Sequence, residues 1–218
     1  MKLYPINLDV RGKNCAVVGG GEVALRKIRS LVEAGALVTV VAPEICAGVE
    51  ELFQRGEIFL RRENFSPEML SDEIILIAAT DNPAVNRHAA EIAQSKKILA
   101  NVVDGAGGNF FVPSQIQRGE LLLTISTGGN SPAFAKFFRQ MLETELGENF
   151  SAGLELISRR RREIKQRLPN SAARKIFWQQ IFSQDTWQLL KSGQLKTLEE
   201  LIDNALKNFG SQSHDGTR

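Results

Sequence analysis

Two features of this chain have the residue types and spacing to do chemistry. The first is Val17-Val18-Gly19-Gly20-Gly21-Glu22-Val23-Ala24, a G-x-G-x-x-A pattern with an apolar run before it and a helical pattern after it. Gly19 permits a tight turn, Gly21 lets the backbone come close to a pyrophosphate, and Ala24 lets the helix pack closely on its sheet. A helix starting there offers unpaired N–H groups and the positive end of its dipole to phosphates. A tight strand–helix turn without a ligand would carry the same pattern, so the motif gains meaning only from its context. The second feature is Asp104, at the end of a predicted strand. A carboxylate there can accept or relay the proton that leaves when a substrate gives up a hydride. By position alone Asp104 reads equally well as a turn residue before Gly105.

The elements that must position these groups are legible as alternating runs. Asn14–Val18, Leu37–Ala42, Ile58–Arg61, Ile74–Ala79 and Leu99–Val103 read as short apolar strands. Glu22–Ala34, Ile45–Arg55 and Pro83–Gln94 read as helices, with Pro83 at a first turn where its missing N–H is harmless. Continuous apolar strands separated by helices imply a parallel sheet covered on both faces, an α/β doubly wound domain. Ligands in such sheets bind beyond the carboxyl ends of the strands. The residues that should meet there are Gly19, Gly20 and Gly21, then Pro43 and Glu44, then Thr80 and Asp81, then Asp104. Glu22 and Val23 should touch a dinucleotide through backbone groups, and Pro43 and Glu44 should flank its adenosine ribose. Thr80 and Asp81 should lie near the nicotinamide path. Asp81 reads also as the cap of the helix beginning at Pro83. No arginine directly follows Glu44, which favours NAD over NADP.

Beyond Asp104 the pattern changes. Leu121–Ser126 reads as a strand and Ala133–Leu146 as a helix. The turn Thr127-Gly128-Gly129-Asn130-Ser131-Pro132 between them could present amides to an anion, or Ser131 could be an ordinary helix cap. From about Phe150 to Phe209 the chain reads as helical, with Thr197-Leu198-Glu199-Glu200 as a capping box opening the last helix. Arg159-Arg160-Arg161-Arg162 points around most of a helix circumference. Its two readings are a solvated surface and a basic wall for a carboxylate-bearing ligand.

The bulk properties exclude more than they assign. The 218 residues are 43% hydrophobic, enough for a sizeable core. A net charge of +2 lacks the basic excess of a nucleic-acid binder. Cys15 and Cys46 form no CxxC pair, and no metal-ligand cluster is evident. His88 and His214 have no catalytic partner arrangement. No stretch reaches a membrane-spanning length and the opening residues lack a signal peptide, so a cytoplasmic setting is expected.

Five segments together resemble the siroheme synthase N-terminal family of precorrin-2 dehydrogenases, some of which are also sirohydrochlorin ferrochelatases. They are Tyr4–Leu8, Val18–Ala24, Ala78–Asp81, Asn101–Asp104 with Asn109–Ser114, and Ser126–Ala133. The resemblance implies oxidation of precorrin-2 to sirohydrochlorin with NAD as hydride acceptor, with Asp104 as the functional carboxylate. Iron insertion would have to reuse Asp104 and the tetrapyrrole nitrogens. It also implies a homodimer, with much of the contact around residues 114–146. The expected layout is a Rossmann domain over 1–113, a small α+β dimerisation region over 114–147, a helical domain over 148–209 and a disordered tail over 210–218. The contrasting reading is a Rossmann module that senses NAD(H) and regulates a partner without chemistry. Such a sensor needs no carboxylate at a hydride site.

Overall fold

A computed structural model of the chain describes residues 3–103 and 107–212, the side chains of 210–212 excepted. Asp104, with Gly105 and Ala106, lies outside the described residues. The chain divides into two units, Met1–Val112 and Pro113–Arg218.

The first unit is a five-stranded parallel sheet in the order β3-β2-β1-β4-β5. The strands are β1 (Asn14–Val18), β2 (Leu37–Val41), β3 (Phe59–Arg61), β4 (Ile75–Ala78) and β5 (Leu99–Val102). The helices are α1 (Glu22–Glu33), α2 (Ala47–Gln54) and α3 (Pro83–Ser95). Successive strand side chains point to opposite faces, so an all-apolar strand feeds two cores. Cys15 and Val17 of β1 join Ala24, Leu25 and Ile28 of α1 on one face. Ala16 and Val18 join Ala89, Ala90 and Ala93 of α3 on the other. The three alanines carry little volume, which lets α3 lie close on β4 and β5. A fully buried valine, leucine or isoleucine stabilises the fold by about 1.5–3 kcal/mol. Burial, with a smaller push from Glu73, raises the Cys15 thiol from its ordinary 9.0 to about 11. The strand order reverses at β1, so its neighbours β2 and β4 diverge beyond its carboxyl end, where such sheets hold ligands.

The second unit opens with an antiparallel hairpin of β6 (Ser114–Arg118) and β7 (Leu121–Ile125). Gly119, at φ +56°, supplies the left-handed residue that a two-residue hairpin turn needs. The sequence reading assigned β7 and missed β6, because Ser114-Gln115-Ile116-Gln117-Arg118 buries only Ile116. Five helices follow: α4 (Pro132–Glu145), α5 (Asn149–Arg167), α6 (Ser171–Ile181), α7 (Gln184–Ser192) and α8 (Leu195–Gln212). Leu156, Ile164, Phe177, Ile181, Leu198 and Ile202 form the shared core of α5, α6 and α8. Two expectations are corrected here. The last helix begins at Leu195, so Thr197 lies inside it and is not its cap. The same helix continues to Gln212, into the stretch read as a disordered tail; residues 213–218 lie outside the description.

Candidate functional site

The carboxyl ends of β1, β2 and β4 surround an open cleft of about 730 Å³. Three segments build most of it, Val18–Val23 after β1, Val41–Cys46 after β2 and Ala79–Asn82 after β4, with Asn64 and Phe65 from beyond β3. Gly19, Gly20, Gly21, Glu22, Val23, Pro43, Glu44, Thr80 and Asp81 all line this one space.

The three glycines do different things there. Gly19 sits at φ +123°, and a Cβ on it would stand 2.4 Å from the Ala79 carbonyl oxygen. A Cβ on Gly20 would stand 2.4 Å from the Glu44 carbonyl oxygen. These two positions therefore press β1's exit against the segments after β4 and β2. Backbone bonds tie the same junction: Gly19 N–H donates to the Val41 carbonyl at 2.9 Å, and Cys46 N–H to the Gly20 carbonyl at 2.8 Å. Gly21 differs, because its Cβ would meet nothing within 4 Å. It opens onto the cleft and is the N-cap residue of α1. No side chain caps that helix start, nor those of α2 and α5, whereas α3, α4, α6 and α7 are each capped by an Asn or Ser side chain; of the uncapped starts, α1's is the one that opens on the glycine turn of this cleft. The first-turn amides of α1 and its dipole are thus left for an anion, which is what a diphosphate requires.

The wall after β4 is held by a residue the sequence reading did not single out. Asn86, buried on α3, accepts from Thr80 N–H at 3.0 Å and donates to the Thr80 carbonyl at 2.8 Å. The Thr80 hydroxyl donates to Asn86 Oδ1 at 2.7 Å and accepts from Asn82 N–H at 3.2 Å. Its hydroxyl proton is committed within the turn, so toward a ligand Thr80 has an acceptor lone pair left and no free donor. The helix cap is Asn82, whose Oδ1 accepts from Ala84 N–H at 2.9 Å, and not Asp81. Asp81 is exposed on the cleft wall. A pattern of Thr80 and Asn86 on either side of a helix start is a weak signal, since Asn inside a helix is more often solvated.

Both sides of the Asp104 segment are fastened to the sheet. Val103 N–H donates to the Ala78 carbonyl at 3.0 Å. Asn109 Oδ1 accepts from Ala100 N–H at 2.9 Å, and buried Asn101 donates to the Phe110 carbonyl at 3.0 Å. In the second unit, the Thr127–Pro132 turn uses its polar groups locally. Ser131 Oγ accepts from Phe134 N–H and caps α4. Among the described residues, no helix is long and apolar enough to cross a membrane.

Comparison with known proteins fits this geometry. The family described as putative NAD(P)-binding matches residues 6–114, and the sirohaem synthase dimerisation region matches 154–206. The chain belongs to the siroheme synthase N-terminal family. It is 36% identical over 213 residues to the siroheme synthase of Photorhabdus laumondii, covering 97% of this chain and 45% of that protein. It is 35% identical to the siroheme synthase of Nitrosospira multiformis, over 95% of this chain and 45% of that protein. The chain therefore spans a little under half the length of these relatives. Among solved structures, SirC, a precorrin-2 dehydrogenase, is similar with a TM-score of 0.73 and 28% identity, over 93% of this chain and 100% of SirC. The family's dimerisation region falls on α5–α8; the 114–147 stretch expected to dimerise lies outside that match.

Proposed function

We propose that this protein oxidises precorrin-2 to sirohydrochlorin with NAD, as a homodimer, within siroheme synthesis. The observation that carries the reading is the uncapped start of α1 beside Gly21, a cradle shaped for a diphosphate, in a chain that matches SirC over all of SirC's length. Bound NAD supplies a hydride acceptor. The α1 amides and Gly21 would hold the diphosphate, and Glu44, in the segment after β2, would offer its carboxylate to the ribose hydroxyls. The Thr80–Asp81 turn, clamped by Asn86, forms the wall along the nicotinamide path. The macrocycle would give up one hydride, for which the dinucleotide would be the acceptor, and one proton, which Asp104 would take and release to solvent.

The decisive experiment mixes pure protein with NAD and precorrin-2 and follows NADH and sirohydrochlorin by absorbance. Both should rise together. A protein that binds NAD and yields no sirohydrochlorin would be a sensor instead, and the reading would fall. Asp104→Ala should lower turnover by about 100-fold or more while NAD affinity stays unchanged. Unchanged turnover removes Asp104 from the chemistry. Gly21→Asp should place a negative charge in the diphosphate path and abolish NAD binding without unfolding the chain.

A further inference from the structure

A second cleft, of about 650 Å³, lies wholly within the second unit between α5 and α6. Its size is within the range of small-molecule sites. Each helix contributes one face with the same spacing. From α5 come Ser158, Arg161, Arg162 and Lys165. From α6 come Ser171, Arg174, Lys175 and Trp178. Residues three and four apart share a helix face, so each set is a continuous stripe turned toward the other. Among the described residues, no acidic residue lines the cleft.

The state of these cations is unusual for their neighbourhood. Arg159 pairs with Glu199 at 2.9 Å, and Arg160 pairs with Glu163 and Asp203. Carboxylates are thus at hand on α5 and α8, and the chain uses them on the other side of the same arginine run. Arg161, Arg162, Lys165 and Lys175 have no ionic or hydrogen-bonding partner among the described residues. Arg174 is aimed by its Nη1, which donates to the carbonyls of Leu168 at 2.8 Å and Pro169 at 2.5 Å; the rest of its guanidinium is unpartnered. Like charges on one face repel, so such a cluster is unfavourable until an anion enters it. Trp178 adds an apolar wall. Its ring is fixed by stacking on Phe182, centroids 5.3 Å apart, and by an edge contact to Phe177 at 5.4 Å.

We propose that the α5–α6 cleft is a binding site for a small molecule bearing several carboxylates on a planar apolar frame. Guanidinium groups pair carboxylates with two parallel hydrogen bonds, the lysines add point charge, and the indole face takes the frame. This site is separate in chain and chemistry from the dinucleotide cleft. A carboxylate-fringed tetrapyrrole belongs to the ligand class, and only that identification rests on the proposed reaction; the probe below tests the site without it.

The test is calorimetric titration of the intact chain with benzenehexacarboxylate in about 0.1 M salt. A dissociation constant below ~1 mM is expected. The double variant R161Q/R162Q should bind at least ~10-fold more weakly, since each removes charge-assisted bonds. Lys175→Gln, on the facing helix, should weaken binding in the same direction and serves if the double variant does not fold. Arg159→Gln, outside the cleft, should leave affinity unchanged. Three results would overturn the proposal: no binding below ~1 mM, an equal loss in Arg159→Gln, or inorganic pyrophosphate displacing the aromatic probe at equal concentration. None of them bears on NAD oxidation, which is assayed separately.

Discussion

The two clefts of this protein are made in opposite ways. The cleft of the first unit is a backbone structure: two glycines squeezed against carbonyls, a third left open, and a helix start without a cap. The cleft of the second unit is a side-chain structure, two helical stripes of long cations over an indole. A backbone site is hard to alter without disturbing the fold wherever its residues are packed, as Gly19 and Gly20 are, because the atoms that bind are those that join the strands to the helices. A site made of exposed side chains can lose its ligand and keep its fold. Affinity and stability should therefore be coupled at Gly19 and Gly20 of the first cleft, and separable at Gly21 and in the second cleft.

The largest effect that would break this comparison is at Gly19. Gly19→Val places a branched side chain against the Ala79 carbonyl at φ +123°, and should destabilise the fold by about 3 kcal/mol or more in chemical denaturation. A loss under 1 kcal/mol would show that the β1–β4 junction can spread. Next, Asn86→Ala strips both partners from the Thr80 backbone and should cost about 2 kcal/mol, with weaker NAD binding as the turn loosens. Asn82→Ala should cost about 1 kcal/mol by uncapping α3, while Asp81→Ala should change stability by less than about 0.5 kcal/mol. Gly21→Ala sharpens the contrast, since its Cβ meets nothing: stability should stay within about 0.5 kcal/mol while NAD affinity falls. R161Q should likewise be silent in denaturation.

The thiols offer a smaller probe of the first cleft. Cys46 is half-buried on the cleft wall and Cys15 is fully buried in the sheet. Alkylation at pH 8 should modify Cys46, slow down when NAD is added, and leave Cys15 untouched. The folded state holds the Cys15 proton more tightly than the unfolded chain does. That contribution to stability is fully present below pH 9 and is lost as pH rises toward 11.

How much of this was legible beforehand depended on the range of the interaction. β1, α1, β2 and β4 could be read within a residue or so, since apolar runs and a glycine turn are local signals. The placing of the glycines, Pro43, Glu44, Thr80 and Asp81 around the first cleft followed from one topological rule about strand ends, whereas Asn64 and Phe65 from beyond β3 did not. Asn86 was not legible, because its role is to clamp a turn that only folding brings to it. β6 was missed because a hairpin partner, rather than its own composition, makes that polar segment a strand. The arginine run was visible but undivided: sequence could not tell that two arginines meet acids of α5 and α8 while two face α6.

The amino-acid order by itself determined that parallel strands would end at a glycine-lined crevice, because hydrophobic period and backbone freedom are properties of neighbours in the chain. Only the tertiary structure decided which glycine is crowded and which is open, which asparagine caps and which one clamps, and which cations keep no partner. Those outcomes depend on atoms far apart in sequence that compete for the same space and the same charges.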